Sequence, residues 1–286
     1  MSHFARASFA GLIALSLAAS SVLAQPPGPG NGPPPGPGNG APRGPISIAP
    51  DPRVQQLTYH FADTNEEMKY TLYVSSKVKK DKPAPLIVAL HGLGGDSNFI
   101  VRGNLIDLAE EGGYVVVGPM GYNVGGWYGS PVMAFGGRPV TPPNLAELSE
   151  KDVMNVMDIA RKQFNIDPKR MYLMGHSMGG AGTFFLGQKY ASQWAAIGAI
   201  APAAFLMQQK QKDILAPIKA AGLPVIVTQG DADKQVPVAN TRTWDVAMTD
   251  LGIEHKYVEM PGLDHGTIIA AGMPDIFKFF AAHVKK

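Results

Sequence analysis

The sequence predicts an α/β fold with a mostly parallel central sheet and helices on both faces. Short apolar runs alternate along the chain with segments that have the composition of helices, which is the pattern of successive strand–helix units. Some of these runs, such as residues 85–90 (Pro-Leu-Ile-Val-Ala-Leu), are continuously apolar, as is typical of strands covered on both faces. The chain has 286 residues, 45% of them hydrophobic, which is enough for one sizeable core.

The first half of the predicted domain begins with a hairpin. Residues 55–61 and 69–74 are its two strands, with the turn near residues 63–65. The elements predicted after the hairpin are a buried strand at 85–90, a helix at 104–111, a strand at 114–118 and a helix at 149–164 capped by Ser149.

The second half continues the alternation of strands and helices. The predicted strands are the apolar run 171–174 and residues 194–201, 224–229 and 255–259. The predicted helices are residues 181–190, 206–221, 238–251 and 274–284. Between residues 200 and 225 there is room for little more than one helix, so we expect no large cap over the sheet.

The N-terminal region has a different composition from the domain. Residues 1–24, with Arg6 before an apolar stretch and small residues near Ala24, predict a cleaved signal peptide, and hence a secreted or periplasmic protein. In residues 25–45, 16 of 21 residues are Pro or Gly, which predicts an extended linker. Residues 46–286 form the predicted catalytic domain, with no stable membrane insertion after signal cleavage.

Composition limits the possible chemistry. The net charge of +2 gives no reason to expect nucleic acid as a partner. The absence of cysteine excludes disulfides, thiolate metal sites and a cysteine nucleophile. No metal-ligand spacing and no cofactor motif is found, so we expect neither a metal nor a cofactor. The oligomeric state is left open.

Ser177 is the leading candidate for a nucleophile. It lies in Gly-His-Ser-Met-Gly (residues 175–179), between a predicted buried strand and a predicted helix. This strand–turn–helix context is what a nucleophile elbow requires, because the tight turn exposes the serine oxygen above the sheet. The helix N-terminus beneath the serine would favour developing negative charge.

A glycine-rich loop follows the predicted strand 85–90. In His91-Gly92-Leu93-Gly94-Gly95 the backbone N–H of Leu93 can approach a substrate closely. Together with the N–H of Met178 it could form a two-donor oxyanion hole. We expect His91 to be structural rather than a base.

An acid and a base are predicted on two later loops. His265 follows the strand 255–259 and can face Ser177 as a general base. Asp231 and Asp233 both follow the strand 224–229, and either could orient the imidazole. The order serine, aspartate, histidine is that of α/β-hydrolases.

These motifs resemble those of secreted α/β-hydrolase-fold serine esterases. The chain is similar to feruloyl and acetylxylan esterases, polyhydroxybutyrate-depolymerase-like proteins and dienelactone hydrolases, a group related to the prolyl-oligopeptidase family. The resemblance covers about residue 55 to the C-terminus and rests on His91-Gly92, residues 175–179, Gly230-x-x-Asp233-x-x-Val236-Pro237 and His265-Gly266. Family members commonly carry the acid in that third motif, which implies Asp233 rather than Asp231.

The resemblance implies a serine hydrolase that cleaves small or polymeric carboxylic esters through an acyl-enzyme. The alternatives are a prolyl-oligopeptidase-like peptidase and a non-catalytic, envelope-associated binding module. The long connection at residues 119–148 contains Tyr122, Trp127, Tyr128, Phe135 and Arg138. Loops of this length are usually functional, so Tyr122, Trp127 and Tyr128 are candidates for substrate binding.

Overall fold

The structure is a computed structural model that describes residues 49–132 and 141–285. The predicted signal peptide (1–24) and linker (25–45), together with Phe135 and Arg138, lie outside the described residues.

The centre of the domain is one eight-stranded sheet in the order β1-β2-β4-β3-β5-β6-β7-β8. Strands β1 and β2 pair antiparallel, β2 pairs antiparallel with β4, and all other pairs are parallel. The strands are β1 (Gln55–Phe61), β2 (Glu66–Val74), β3 (Ala84–Leu90), β4 (Val115–Pro119), β5 (Ile166–His176), β6 (Ala196–Ile200), β7 (Val225–Gly230) and β8 (His255–Met260). The predicted mostly parallel sheet is therefore confirmed.

The register of the central strands determines where the functional loops meet. All seven residues of β3 are buried, as the continuous apolar run predicts. Leu90 at the end of β3 pairs with Gly175 of β5, and His176 pairs with Ile200 of β6. The loops after these strands consequently start side by side at the carboxyl edge of the sheet, where ligands bind in open α/β folds.

Helices cover both faces of the sheet. They are α1 (Asn104–Gly112), α2 (Leu145–Gln163), α3 (Met178–Lys189), α4 (Gln211–Ala220), α5 (Val238–Asp250) and α6 (Thr267–Ala282). The apolar residues of α2 to α5 share one core cluster with one side of the sheet. Those of α1 and α6 share a second cluster with the other side. Helices on both faces, as predicted, bury the central strands.

Helix α2 begins earlier than the sequence predicts, and Ser149 is not its cap. The helix starts at Leu145, which leaves Ser149 fully buried in its second turn. The Ser149 hydroxyl accepts a hydrogen bond from the Tyr128 N–H at 3.0 Å. A serine ahead of an apolar run resembles a cap in sequence, but here a long-range contact uses its oxygen.

Helix α6 also begins earlier than predicted, at Thr267, so that Pro274 lies inside it. Proline removes the hydrogen bond to the carbonyl four residues earlier, here that of Ala270. The Asn104 side chain donates to this carbonyl at 2.6 Å and replaces the missing donor. The start of α6 is set by Asp264, whose Oδ1 accepts from the Thr267 N–H at 2.8 Å.

No cap domain interrupts the connection between β6 and β7, all of which is described. It consists of a 3₁₀ turn (Ala203–Leu206) and α4. Of the helices in the described ranges, none has the length and apolar character needed to cross a bilayer.

Candidate active site

Ser177 lies at the sharp turn between β5 and α3. Its backbone has φ 56° and ψ −112°, a conformation outside the regions that L-residues prefer. The close packing around the turn requires glycine on either side: a Cβ at Gly175 would lie 2.3 Å from the Gly179 carbonyl oxygen, and a Cβ at Gly179 would lie 2.3 Å from that of Leu90. The two motif glycines therefore bring α3 against the ends of β5 and β3.

Backbone hydrogen bonds hold this strained turn. The Ser177 N–H donates to the Ile200 carbonyl at 2.9 Å, and the Ser177 carbonyl accepts from Ala181 and Ala203, each at 3.0 Å. These contacts connect the turn to β6 and to the first turn of α3. The serine hydroxyl is consequently presented on a rigid support at the helix N-terminus, where partial positive charge accumulates.

Asp233 and His265 meet although 32 residues separate them. His265 Nδ1 lies 2.7 Å from Asp233 Oδ2, and the Asp233 side chain has no solvent exposure. The other carboxylate oxygen of Asp233 accepts from the N–H groups of Gln235 (2.8 Å) and Val236 (2.9 Å). Since a carboxylate surrounded by donors remains an acceptor, it holds the imidazole proton on Nδ1 and leaves Nε2 as the basic nitrogen.

Asp231, the alternative acid, and Asp264, the residue before His265, accept hydrogen bonds from backbone N–H groups instead. Asp231 is exposed, and its Oδ1 accepts from the Gly262 N–H at 2.6 Å. Asp264, next to His265, accepts from the Gly266 and Thr267 N–H groups. Of these three aspartates, Asp233 is the one hydrogen-bonded to the His265 ring.

The backbone N–H groups of Leu93 and Met178 have no acceptor within the part of the chain that the structure describes. Met178 is the first residue of α3, whose leading N–H groups have no intrahelical partner. Leu93 lies in the loop after β3; Leu90, the last residue of β3, and His91, the first residue of the loop, pack against Gly179. A Cβ at Gly92, the residue before Leu93, would lie 3.4 Å from the Ser177 Cβ, and Met178 directly follows Ser177, so both N–H groups belong to segments beside Ser177.

His176 is a buried neighbour of the His265 ring. Its Nε2 lies 2.8 Å from the His265 carbonyl oxygen, and the two ring centroids are 4.5 Å apart. Burial, with a smaller contribution from His265, lowers the pKa of His176 to about 3. The ring is consequently neutral near pH 7, carries its proton on Nε2 and donates it to that carbonyl. His176 holds the His265 loop without competing as a base.

Ser177 and His265 line one cavity of about 550 Å³. Within the described ranges the Ser177 hydroxyl makes no hydrogen bond to the His265 ring; in unliganded active sites such bonds are often long. Most of the cavity wall is apolar and comes from Leu93, Phe99, Trp127, Phe205, Leu206, Val236 and Ile269. Leu93 is 54% exposed, so the cavity is open to solvent.

The three aromatic candidates for substrate binding lie in different places. Trp127 lines the Ser177 cavity. Tyr122 lines a different cavity and donates to Glu66 at 2.9 Å. Tyr128 is fully buried and donates to the His91 carbonyl at 3.0 Å, so it contacts the glycine-rich loop after β3 instead of lining the cavity.

Comparison with known families identifies the chain. Residues 62–249 match a family model described as "Putative esterase". The chain belongs to this esterase family. The match covers most of the described domain, from the end of β1 to the end of α5.

Individual relatives of this esterase-family chain match over shorter segments. A bifunctional acetylxylan esterase/xylanase of Neocallimastix patriciarum is 30% identical over 115 residues, which is 40% of this chain and 15% of that protein. Rat S-formylglutathione hydrolase is 28% identical over 147 residues, 48% of this chain and 52% of that enzyme. The aligned regions thus span about half or less of these relatives.

Solved structures agree on the fold of this esterase-family chain. A ferulic acid esterase from Anaeromyces mucronatus, in complex with ferulic acid, superimposes with a TM-score of 0.63 at 20% identity, over 80% of this chain and 91% of that one. A thermostable esterase superimposes with a TM-score of 0.62 at 24% identity, over 82% of this chain and 64% of that one. The predicted α/β-hydrolase fold is thereby confirmed.

Two buried side chains at the site were missed by sequence reasoning. Gln229, the penultimate residue of β7, donates to Asp233 Oδ2 at 3.2 Å and to the Val236 carbonyl at 3.1 Å. Asp152 in α2 accepts from the Gly121 N–H and the Tyr59 hydroxyl, each at 2.6 Å. Their partners are distant in sequence or lie in loops, so no periodic pattern indicates these contacts.

The residues described provide no group of three or more His, Asp or Glu side chains that could hold a metal ion. His265 has one carboxylate partner, Asp233, and His91 lies between two backbone carbonyls.

Proposed function

We propose that this esterase-family chain hydrolyses carboxylic esters through an acyl-enzyme, with Ser177 as nucleophile, His265 as base and Asp233 as the orienting acid. The observation that carries the proposal is the 2.7 Å contact between His265 Nδ1 and Asp233 Oδ2 in the cavity that Ser177 lines. Family membership and the esterase relatives support ester cleavage as the reaction class.

In the first half-reaction, Ser177 Oγ attacks the ester carbonyl carbon while its proton passes to His265 Nε2. The carbonyl oxygen becomes an oxyanion, which the N–H groups of Leu93 and Met178 stabilise. As the tetrahedral intermediate collapses, the carbon–oxygen bond to the alcohol breaks and His265 returns the proton to the departing oxygen. The products are an alcohol and an acyl group on Ser177.

In the second half-reaction, water replaces the alcohol. His265 takes a proton from the water, whose oxygen attacks the acyl carbonyl through the same oxyanion. Collapse of this intermediate releases the carboxylic acid and returns the proton to Ser177. The negative charge of Asp233 stabilises the imidazolium that forms in both half-reactions.

The volume and the open mouth of the cavity are consistent with a substrate whose acyl group is small or loosely held. Its volume of about 550 Å³ and its apolar walls suit an alkyl or aromatic acid, and its open mouth leaves room for a larger alcohol. We propose a carboxylic ester of this kind as substrate. A panel of feruloyl, acetyl-xylan and short hydroxyalkanoate esters would identify which is preferred.

The central test is the variant Ser177→Ala. It should abolish turnover of p-nitrophenyl acetate and covalent labelling by a fluorophosphonate, because both reactions need the serine oxygen. Ser192→Ala, at an exposed position in the 3₁₀ turn Ala191–Gln193, is the matched control and should retain both. Retained turnover in Ser177→Ala would disprove the assignment.

The same preparations test the two alternatives. A wild-type protein that neither turns over esters nor reacts with the fluorophosphonate would favour the binding module. A kcat/KM higher for proline p-nitroanilides than for p-nitrophenyl acetate would favour the peptidase. We expect the ester to be preferred.

A further inference from the structure

Tyr128 connects three elements around the Ser177 cavity without lining it. Its N–H donates to Ser149 in α2 at 3.0 Å, and its hydroxyl donates to the His91 carbonyl after β3, also at 3.0 Å. A Cβ at Gly182 of α3 would lie 2.6 Å from its ring, so the ring packs directly on the nucleophile helix. One residue, through its backbone N–H and its side chain, thus joins α2, α3 and the glycine-rich loop after β3.

The backbone at this position is strained. Tyr128 has φ 54° and ψ 31°, and Trp127 before it also has φ 54°. Such conformations cost about 1–3 kcal/mol each in residues other than glycine, so surrounding contacts must hold them. Ser149 supplies one of these contacts by accepting the Tyr128 N–H inside the core. The strain places the phenol where its hydroxyl reaches the His91 carbonyl.

The His91 carbonyl is one peptide away from the predicted oxyanion donor. The next peptide consists of the Gly92 carbonyl and the Leu93 N–H, which point in opposite directions because the peptide is planar and trans. The Gly92 carbonyl accepts from the Gly95 N–H at 3.0 Å, and His91 Nδ1 lies 2.8 Å from it. The direction of the Leu93 N–H therefore depends on how these two consecutive peptides are held.

The Tyr128 ring and the His91 ring are also in edge contact, with centroids 5.6 Å apart at 68°. Burial lowers the pKa of His91, so near pH 7 its ring is neutral and donates to one of the two carbonyls that it faces, Gly92 or Met120. Burial raises the pKa of the Tyr128 hydroxyl well above its usual range, so this group keeps its proton and donates throughout the working pH range. Tyr128 thus supplies a hydrogen bond that does not depend on the His91 tautomer.

From these contacts we infer that Tyr128 is a positioning residue that orients the Leu93 N–H toward the oxyanion, with Ser149 as its anchor. The inference rests on the proposed function, because it assigns a role within the same reaction. Tyr128 acts through the His91 and Gly92 peptides and does not touch the substrate.

The test is Tyr128→Phe, which removes the hydroxyl and keeps the ring. Direct removal of an oxyanion donor typically costs about 10²–10³-fold in kcat, so an indirect effect should be smaller, about 10- to 100-fold. The KM for p-nitrophenyl acetate should change less than about twofold, because ground-state contacts are unaltered. The Ki of a trifluoromethyl ketone, which places an oxyanion in the site, should rise by the same factor as kcat falls.

Tyr172→Phe is the matched control. Tyr172 is also buried, and its hydroxyl also donates to a backbone carbonyl, that of His283 at 2.8 Å, away from the cavity. It should lose a similar amount of thermal stability while keeping kcat and the ketone affinity. Equal kinetic losses in both variants, or an unchanged kcat and Ki in Tyr128→Phe, would overturn the inference.

A second variant covers the case in which Tyr128→Phe does not fold. Ser149→Ala removes the acceptor of the Tyr128 N–H and should lower kcat and ketone affinity together, and unchanged values would again overturn the inference. Fluorophosphonate labelling of the wild type distinguishes failure of the positioning role from failure of the proposed function. If wild-type Ser177 reacts with a fluorophosphonate while the Tyr128 and Ser149 variants match the wild type, only the positioning role fails.

Discussion

Replacing Asp233 with asparagine should leave the fold intact and remove most of the activity. The reason lies in the four donors around the carboxylate. Oδ1 accepts from the Gln235 and Val236 N–H groups, and Oδ2 faces His265 Nδ1 and the Gln229 amide. In Asp233→Asn, the amide oxygen must take the Oδ1 position, because an NH₂ group there would oppose two N–H donors.

The amide nitrogen of the variant then faces His265 Nδ1 and donates to it. This forces the His265 proton onto Nε2, so that the nitrogen that should receive the Ser177 proton is already occupied. Enforcing the wrong tautomer costs about 10⁴-fold in kcat in serine proteases, equivalent to about 5.5 kcal/mol of transition-state stabilisation. We expect a loss of that order here.

The assay is kcat for p-nitrophenyl acetate, with thermal denaturation to show that the variant is folded. Asp231→Asn is the matched control, because its carboxylate contacts the Gly262 N–H and lies outside the cavity lining. It should retain kcat within about threefold, since surface changes usually have small effects. A large loss in Asp231→Asn together with a small loss in Asp233→Asn would refute the reasoning.

Two further predictions concern pH and the N-terminal segment. The pKa of His176 is lowered to about 3 in the fold, against about 6.5 in an unfolded chain. Between these two pH values the unfolded state binds one more proton than the folded state, so the free energy of unfolding should fall as the pH drops from 6.5 toward 3, by at most about 5 kcal/mol. The fall should be smaller in His176→Asn, and equal pH–Tm profiles for this variant and the wild type would contradict the prediction. Deleting residues 25–45 should leave kcat/KM for p-nitrophenyl acetate within about twofold of the full chain, because we propose that the segment is a spacer; a folded deletion variant without activity would place it in the site.

The sequence could predict those parts of the molecule whose signal is local. The apolar run of β3 identifies a strand buried on both faces, and Gly-x-Ser-x-Gly identifies the turn at Ser177 because its neighbours supply the strand and the helix. The choice of Asp233 over Asp231 depended on family resemblance, since both side chains follow β7 equally well. In the structure, Asp233 is buried against His265 and Asp231 is exposed. The two side chains are only two residues apart in the same turn, yet their surroundings differ completely.

The errors occurred where a distant contact overrides a local preference. Proline is favoured at the first position of a helix, so Pro274 suggests a helix start. In α6, however, the Asn104 side chain, 166 residues before Ala270, donates to the Ala270 carbonyl in place of the missing N–H. Ser149 suggests a cap, yet its oxygen serves the Tyr128 N–H. Neither partner can be identified from the residues beside it in the sequence.

The periodic pattern of apolar residues in α2 gives no sign that two polar residues of this helix hold a loop beside the site. Ser149 and Asp152 are three residues apart in α2, so they lie on the same face of the helix. Both are buried among apolar residues, and both accept N–H groups from the loop after β4, Ser149 from Tyr128 and Asp152 from Gly121 and Tyr122. Burial raises the pKa of Asp152 to about 6, which shows the cost of keeping this carboxylate charged in the core.

The free-energy cost of burying a charged carboxylate is offset when the carboxylate accepts hydrogen bonds from donors that have no other acceptor. The loop that these two residues hold contains Tyr122, Trp127 and Tyr128, each at positive φ. Without acceptors in α2 the loop could relax to an unstrained conformation, and the Trp127 wall of the cavity and the Tyr128 bond to the His91 carbonyl would shift with it. The polar face of α2 therefore contributes to the geometry of the glycine-rich loop after β3, although none of the α2 residues lines the Ser177 cavity.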